Sequence, residues 1–145
     1  MKYLLTFALL VLAMTIHASQ QSVAQAIGAF AWEKRQIIVF TPNAEDQRLV
    51  NFQTIQKEFS DDFAERFLQV WLVEADQQVS LEGEVIKALN PDSFYKRFDV
   101  KANEFRVGLI GYDQGEKLRQ SVFNVDLLLG TIDQMPMRQQ EIQRQ

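Results

Sequence analysis

Apolar and polar positions fall along this chain in blocks whose periods predict its elements. Residues 4–16 are almost wholly apolar, and residues 19–30 are rich in Gln and Ala with no strong pattern, the mark of a leader or flexible arm. Trp32 opens the patterned region. Gln36-Ile37-Ile38-Val39-Phe40-Thr41 is a β-branched apolar run that suits a strand buried on both faces, and Pro42 ends it. Asn43 is placed as an N-cap, with Glu45 and Asp46 in the first turn, where the helix dipole favours negative charge. Leu49, Phe52, Ile55, Phe59 and Phe63 then recur at three- and four-residue steps, one stripe of an amphipathic helix. Residues 67–73 make a second buried strand, interrupted by Gln69.

Residues 74–89 are the least regular, with one helical turn expected over 85–89. Asn90-Pro91 is a helix start, because proline at the first helical position has no amide proton to waste. Residues 105–111 form a third strand, Tyr112-Asp113-Gln114-Gly115 a turn, and residues 116–119 a fourth strand, hence an antiparallel hairpin. Asn124 caps a last helix carrying Val125, Leu128, Leu129 and Ile132; Pro136 ends it, and residues 138–145 read as a charged tail. The order β-α-β-α-β-β-α, opened by a parallel βαβ unit, is thioredoxin-like. It predicts an α/β domain with a four-stranded mixed sheet and helices on both faces.

Composition sharpens this picture at the N-terminus. Lys2 followed by a short apolar core and then small residues is the plan of a signal peptide, too short to span a bilayer comfortably. Cleavage is expected between Ala18 and Ala26, within a 1–26 signal and cleavage region: Ile16-His17-Ala18 permits it, Ser22-Val23-Ala24 and Ala24-Gln25-Ala26 are better small-x-small sites, and an uncleaved anchor is the rival; the protein is expected to be periplasmic or secreted. The domain then spans 30–142, with 143–145 trailing. No later stretch is long and apolar enough for a membrane span after cleavage. Of 15 Lys and Arg, Lys2 leaves with the signal, so 14 face 19 Asp and Glu, a net charge of −5. So acidic a domain is not expected to bind nucleic acid, which needs a positive field to displace counterions. There is no cysteine, although export usually permits disulfides.

Three segments carry a resemblance. Trp32-Glu33-Lys34-Arg35 with the strand ending at Pro42 opens the domain; Gly111-Tyr112-Asp113-Gln114-Gly115-Glu116-Lys117-Leu118-Arg119 is the hairpin; Ile132-Asp133-Gln134-Met135-Pro136-Met137-Arg138, then Glu141, closes it. Together they resemble an uncharacterised domain-of-unknown-function family with a thioredoxin-like fold. That family occurs in exported bacterial proteins and in sushi-repeat-containing extracellular matrix proteins. The resemblance covers about residues 30–142 and implies a fold and an extracytoplasmic setting, but no established activity. Two positions depart from the family's pattern. Tyr112 stands where the hairpin turn usually has lysine, and Glu65-Arg66-Phe67 lacks the aspartate often found before the second strand.

Thioredoxin-like enzymes place a reactive cysteine after the first strand; here the stretch is Thr41-Pro42-Asn43-Ala44-Glu45-Asp46, so thiol redox chemistry is excluded. The sole histidine, His17, leaves with the signal, which removes imidazole bases and His/Cys zinc sites. No cofactor is implied. Lys117 and Arg119, two apart on a strand, are expected to share a face and with Arg35 and Arg138 to form an anion patch, or else to guard a sheet edge. Asp133 and Arg138 flank Met135-Pro136-Met137, either at a pocket rim or as an ion pair fixing the chain after the last helix. Asp113 is a candidate acid or base, or a turn residue. Glu74, Asp76, Glu82 and Glu84 fit no cation loop and are expected to be solvated. Trp32 and Trp71 are candidates to line a pocket, but are expected instead in the core or as a hydrophobic plug.

The leading expectation is a non-catalytic, thioredoxin-like binding domain whose partner is an unknown protein or a small anionic ligand. The alternative is a cysteine-free enzyme or small-anion carrier working through Asp113, Lys117, Arg119, Asp133 and Arg138. Catalysis requires those side chains to converge.

Overall fold

A computed structural model describes residues 21–145. The apolar run of the expected signal, His17 and Ala18 lie outside them. Twelve elements follow one another among the described residues: α1 (Val23–Gly28), β1 (Arg35–Thr41), α2 (Gln47–Glu58), α3 (Ser60–Glu65), β2 (Leu68–Glu74), β3 (Val79–Leu81), β4 (Glu84–Val85), α4 (Pro91–Phe98), β5 (Arg106–Ile110), β6 (Glu116–Gln120), α5 (Val125–Asp133) and α6 (Pro136–Gln143). The strands form one open mixed sheet in the order β4-β3-β2-β1-β5-β6. β1 and β2 run parallel, and every other neighbouring pair is antiparallel.

β1 is central and buried along its whole length, as its unbroken apolar run requires. Its side chains alternate between two cores. Ile38 and Phe40 join Trp71, Val73, Ile110 and the α4 residues Phe94 and Tyr95, with Val23, Ala26 and Ile27 of α1 closing that face. Ile37 and Val39 join Leu49 and Phe52 of α2, Phe63 of α3, Val107, Leu109, and Leu128, Leu129 and Ile132 of α5. Helices therefore cover both faces, and Asn90 and Asn124 cap α4 and α5 as their positions predict.

Several expectations are corrected. The sheet has six strands, not four. The extra pair, β3 and β4, turns on Glu82 and Gly83 at φ +48° and +85°, the left-handed pair that a two-residue hairpin demands. Residues 85–89 are thus strand and turn rather than a helical turn. The 19–30 arm contains α1, whose capping box links Ser22 and Gln25. α2 starts later than expected, with Asp46 as its N-cap, while Asn43 Oδ1 accepts the Glu45 N–H in a turn before it. The stripe from Leu49 to Phe63 spans two helices, broken at Phe59. Pro136 begins a helix, α6, instead of ending one, and the expected tail is that helix.

Candidate functional site

β1 begins with Arg35, a fully buried cation, and burial of a charge demands partners. Its Nη1 donates to the Arg66 carbonyl (2.9 Å), the Tyr112 hydroxyl (3.1 Å) and Glu141 Oε2 (3.2 Å), and its Nη2 to Glu141 Oε1 (3.2 Å). The guanidinium carbon lies 4.1 Å from the centroid of the Tyr112 ring. Tyr112 in turn donates to Glu141 Oε1 at 2.7 Å. Arg35 Nε is buried with no partner.

A second cluster adjoins the first. Arg138, 2 % exposed on α6, reaches Glu65 Oε1 at 2.5 Å and Asp133 Oδ1 at 3.2 Å, with Glu141 Oε2 at 3.6 Å. Arg66 grips Asp133 with Nε and Nη2, each at 2.9 Å, and also reaches Asp62 Oδ1 at 3.2 Å. Three arginines and four carboxylates thus tie the start of β1, the α3–β2 corner, the end of α5 and all of α6. The electrostatics follow this geometry. The Arg66 hydrogen bonds hold the Asp133 carboxyl below its usual range, against the opposing effect of burial. Burial pushes the Glu141 carboxyl up, but the hydrogen bonds from Arg35 and Tyr112 prevail and its pKa is lowered. Burial and then the Glu141 carboxylate push the Tyr112 phenol up to about 12.

Beside this network lies an open cleft of about 500 Å3. Trp32, Met135, Pro136 and Met137 supply apolar walls, Arg35 and Tyr112 border it from the network, and the β5–β6 turn brings Asp113 and Lys117. That turn is closely specified. Asp113 accepts the Gly115 N–H (3.0 Å) and the Lys117 ammonium (2.8 Å), and these two hydrogen bonds hold the Asp113 carboxyl below its usual range. Lys117 lies across the turn because residue 111 has no side chain: a Cβ on Gly111 would sit 2.7 Å from Lys117 Cε.

The candidate residues therefore separate into three groups. Arg35, Asp113 and Lys117 border the cleft. Asp133 and Arg138 are held in the ion-pair network, Arg138 as a buried anchor of α6. Arg119 is elsewhere. It holds Glu116 with two hydrogen bonds of 2.9 Å and reaches the Phe98 carbonyl of α4 at 2.6 Å. Lys117 and Arg119 do not share a face as expected, because Lys117 is an extra residue in the ladder. Leu109 pairs with Leu118 and Ile110 with Glu116, a bulge that breaks the alternation. Trp71 is a core residue, whereas Trp32, 65 % exposed, is neither core nor plug and lines the cleft, the alternative reading of the sequence. Glu82 is not simply solvated; its carboxylate accepts the Val70 N–H. Arg66, Glu65, Tyr112 and Glu141 were not chosen as candidates from the sequence. The available signal was the arginine-glutamate-rich spacing around residues 62–66 and 138–141, which reads equally as solvated charge. Among the described residues, no group of three His, Asp or Glu side chains is placed to hold a metal ion, and no helix is long and apolar enough to cross a membrane.

The described residues define an α/β fold with one mixed sheet, a buried arginine–carboxylate network and an apolar-walled cleft beside it. Residues 26–141 match the family described as Domain of unknown function (DUF4174), and the chain belongs to that family. No curated protein and no solved structure matches it.

Proposed function

We propose that this is an exported, non-catalytic binding domain of thioredoxin-like fold, and that the cleft between the β5–β6 turn and the α5–α6 corner takes its ligand. The β2-β1-β5-β6 portion of the sheet, with β1 and β2 parallel and β5 and β6 antiparallel to their neighbours, supports the thioredoxin-like assignment. The single observation that carries the binding role is the cleft itself. Its volume falls in the range of small-molecule sites, its walls are apolar, and an ammonium is fixed at its mouth by Asp113 and the bare backbone of Gly111. An enzyme using Asp113, Lys117, Arg119, Asp133 and Arg138 together would need them around one substrate. Arg119 is engaged at α4, and Asp133 and Arg138 are consumed by their ion pairs.

The test is thermal unfolding of the mature chain with carboxylates, phosphate, nucleotides and short acidic peptides. A ligand at a hundred times its Kd adds about 2.7 kcal/mol, which raises the midpoint by about 10 °C for a domain of this size. Lys117→Ala is expected to abolish the rise without unfolding the domain, since Lys117 is at the surface. A flat response across the panel from folded protein overturns the proposal.

Export is part of the same proposal, and α1 narrows the cleavage window. Cutting after Ala24 or Ala26 would remove the Ser22 cap and the buried Val23, whereas cutting after Ala18 leaves the helix whole. N-terminal sequencing of the exported protein is expected to begin at Ser19; a start at Gln25 or Ile27 refutes this.

A further inference from the structure

Trp32 carries two physical penalties that the fold does not explain. The indole is 65 % exposed and belongs to neither apolar core. Its backbone is left-handed, φ +65°, a conformation that is costly for a bulky L-residue and nearly free for glycine. The turn from α1 into β1 needs that backbone: Glu33 and Lys34 both donate N–H groups back to the Phe30 carbonyl. It does not need an indole there. Phe67 has similar features, at φ +54° and half exposed, but the Lys34 ammonium covers its ring at 5.9 Å. Unexplained strain at an exposed aromatic points to a function for the side chain.

The neighbours of Trp32 say which function. Its backbone N–H donates to the Tyr112 carbonyl at 3.1 Å, one residue beyond the glycine across which Lys117 lies. Trp32 and Lys117 therefore line the same cleft, together with Met135, Pro136 and Met137. An aromatic ring gains beyond its buried area from offset stacking on indole and from contact with methionine sulfur. The charge balance at the mouth disfavours a doubly charged anion. Lys117 is shared with Asp113, and Arg35 is already gripped by Glu141, so a doubly charged group would meet the Asp113 carboxylate with one cation to offset it. The Lys117–Asp113 pair is exposed and therefore weak, so a ligand carboxylate can take the ammonium from it at little cost.

We infer, on the basis of the cleft as ligand site, that it takes an aromatic monocarboxylate, ring against Trp32 and carboxylate on Lys117 Nζ. The same chemistry is offered by a free aromatic acid and by the C-terminal aromatic residue of a peptide.

The probes are 3-phenylpropionate, its saturated analogue 3-cyclohexylpropionate, and a tripeptide ending in Phe as acid and as amide. Calorimetry on the mature chain gives affinities, and indole emission gives the site. Of the two tryptophans, Trp71 is buried, so a ligand-dependent change in emission reports Trp32. At least one aromatic acid is expected to bind and perturb that emission, with the cyclohexyl analogue and Lys117→Ala each weaker by about tenfold. Binding of the tripeptide acid but not phenylpropionate identifies a peptide C-terminus; the reverse identifies a free acid. Trp32→Gly is expected to lose affinity by at least the same factor while its unfolding midpoint stays within about 3 °C of wild type, strain relief offsetting lost contact. Trp32→Asn, which tolerates the left-handed backbone, is the second variant and is expected to behave alike. A larger fall in midpoint in both variants makes Trp32 a structural plug and overturns the inference. Equal binding of aromatic and cyclohexyl acids, unchanged in Trp32→Gly, also overturns it but leaves the cleft as a binding site. No binding of any probe, with no midpoint shift in the wider anion panel, removes both.

Discussion

The two ends of β1 are held by opposite kinds of chemistry. Towards its C-terminal half, Ile38 and Phe40 face an apolar layer in which Trp71 and Phe94 meet at 5.9 Å between ring centroids and Phe40 and Tyr95 at 5.1 Å. Its polar groups are quietly satisfied: Trp71 Nε1 donates to Gln36 Oε1 at 2.7 Å, and Gln36 Nε2 to the Ile27 carbonyl at 3.0 Å. At its N-terminal end, Arg35 is buried against the Glu141 carboxylate, and the single buried residue of α6 is Arg138. α6 is therefore docked by charge where α1 and α4 are docked by oil. The apolar region provides stability that is indifferent to pH. The charged region provides geometry, because directional ion pairs fix the corner on which the cleft is built, and it is acid-labile.

The largest effect separates the regions at once. Phe94→Ala removes a fully buried ring and is expected to cost about 3–5 kcal/mol in urea unfolding, equally at pH 7 and pH 4. A loss that shrinks markedly in acid would show that the two regions are not independent.

Glu141→Gln tests the other end. It keeps the shape but removes the charge that pairs Arg35 and receives Tyr112, hydrogen bonds of a kind worth about 1.5–3 kcal/mol. The sign of its pH dependence is fixed by the lowered pKa values. Glu141 titrates below its ordinary 4.5 and Asp133 below 3.8 when folded, so the unfolded chain takes up their protons first as pH falls. Their contribution is fully present above pH 4.5 and is lost as pH descends through the folded values. The difference between wild type and Glu141→Gln is expected to narrow steadily below pH 4.5 and to vanish in strong acid. A difference that stays constant would mean that Glu141 acts through shape alone.

The same contrast explains what was legible in the sequence. Apolar docking leaves periodicity, and so β1, β2, the β5–β6 hairpin and the Asn90 and Asn124 caps could be read directly. Charged docking leaves none: in α6, Met137 and Ile142 are exposed while Arg138 is buried, the inverse of an amphipathic helix, so residues 138–145 passed for a tail. α1 was hidden differently, since six residues carry too little pattern and two of its three buried positions, Val23 and Ala26, also suit a cleavage site. The extra β3–β4 pair has only three and two residues, and its signal was the Glu82-Gly83 turn rather than any apolar run. At the site, Asp113 and Lys117 were legible as hairpin residues. The bulge that sends Arg119 to another face was not, because it depends on the pairing with β5.

The smallest expected effect bears on whether α1 belongs to the apolar region in energy as well as in position. Ser22 Oγ accepts the Gln25 N–H at 3.1 Å, and Gln25 Oε1 accepts the Ser22 N–H at 3.2 Å. Ser22→Ala removes the Oγ half of this box, leaving the residue-22 backbone N–H to donate to Gln25 Oε1, and is expected to cost about 1 kcal/mol. A helix of six residues has no independent stability, so that cost can register globally only if α1 folds with the sheet through Val23, Ala26 and Ile27. The measurement is hydrogen exchange alongside urea unfolding. If α1 is part of the core, amides of β1 and of α1 lose protection together, and by the same amount at pH 7 and pH 4. If only the α1 amides lose protection and the global transition is unmoved, α1 is a separately fraying segment. The apolar region then ends at Phe94 and Tyr95 of α4.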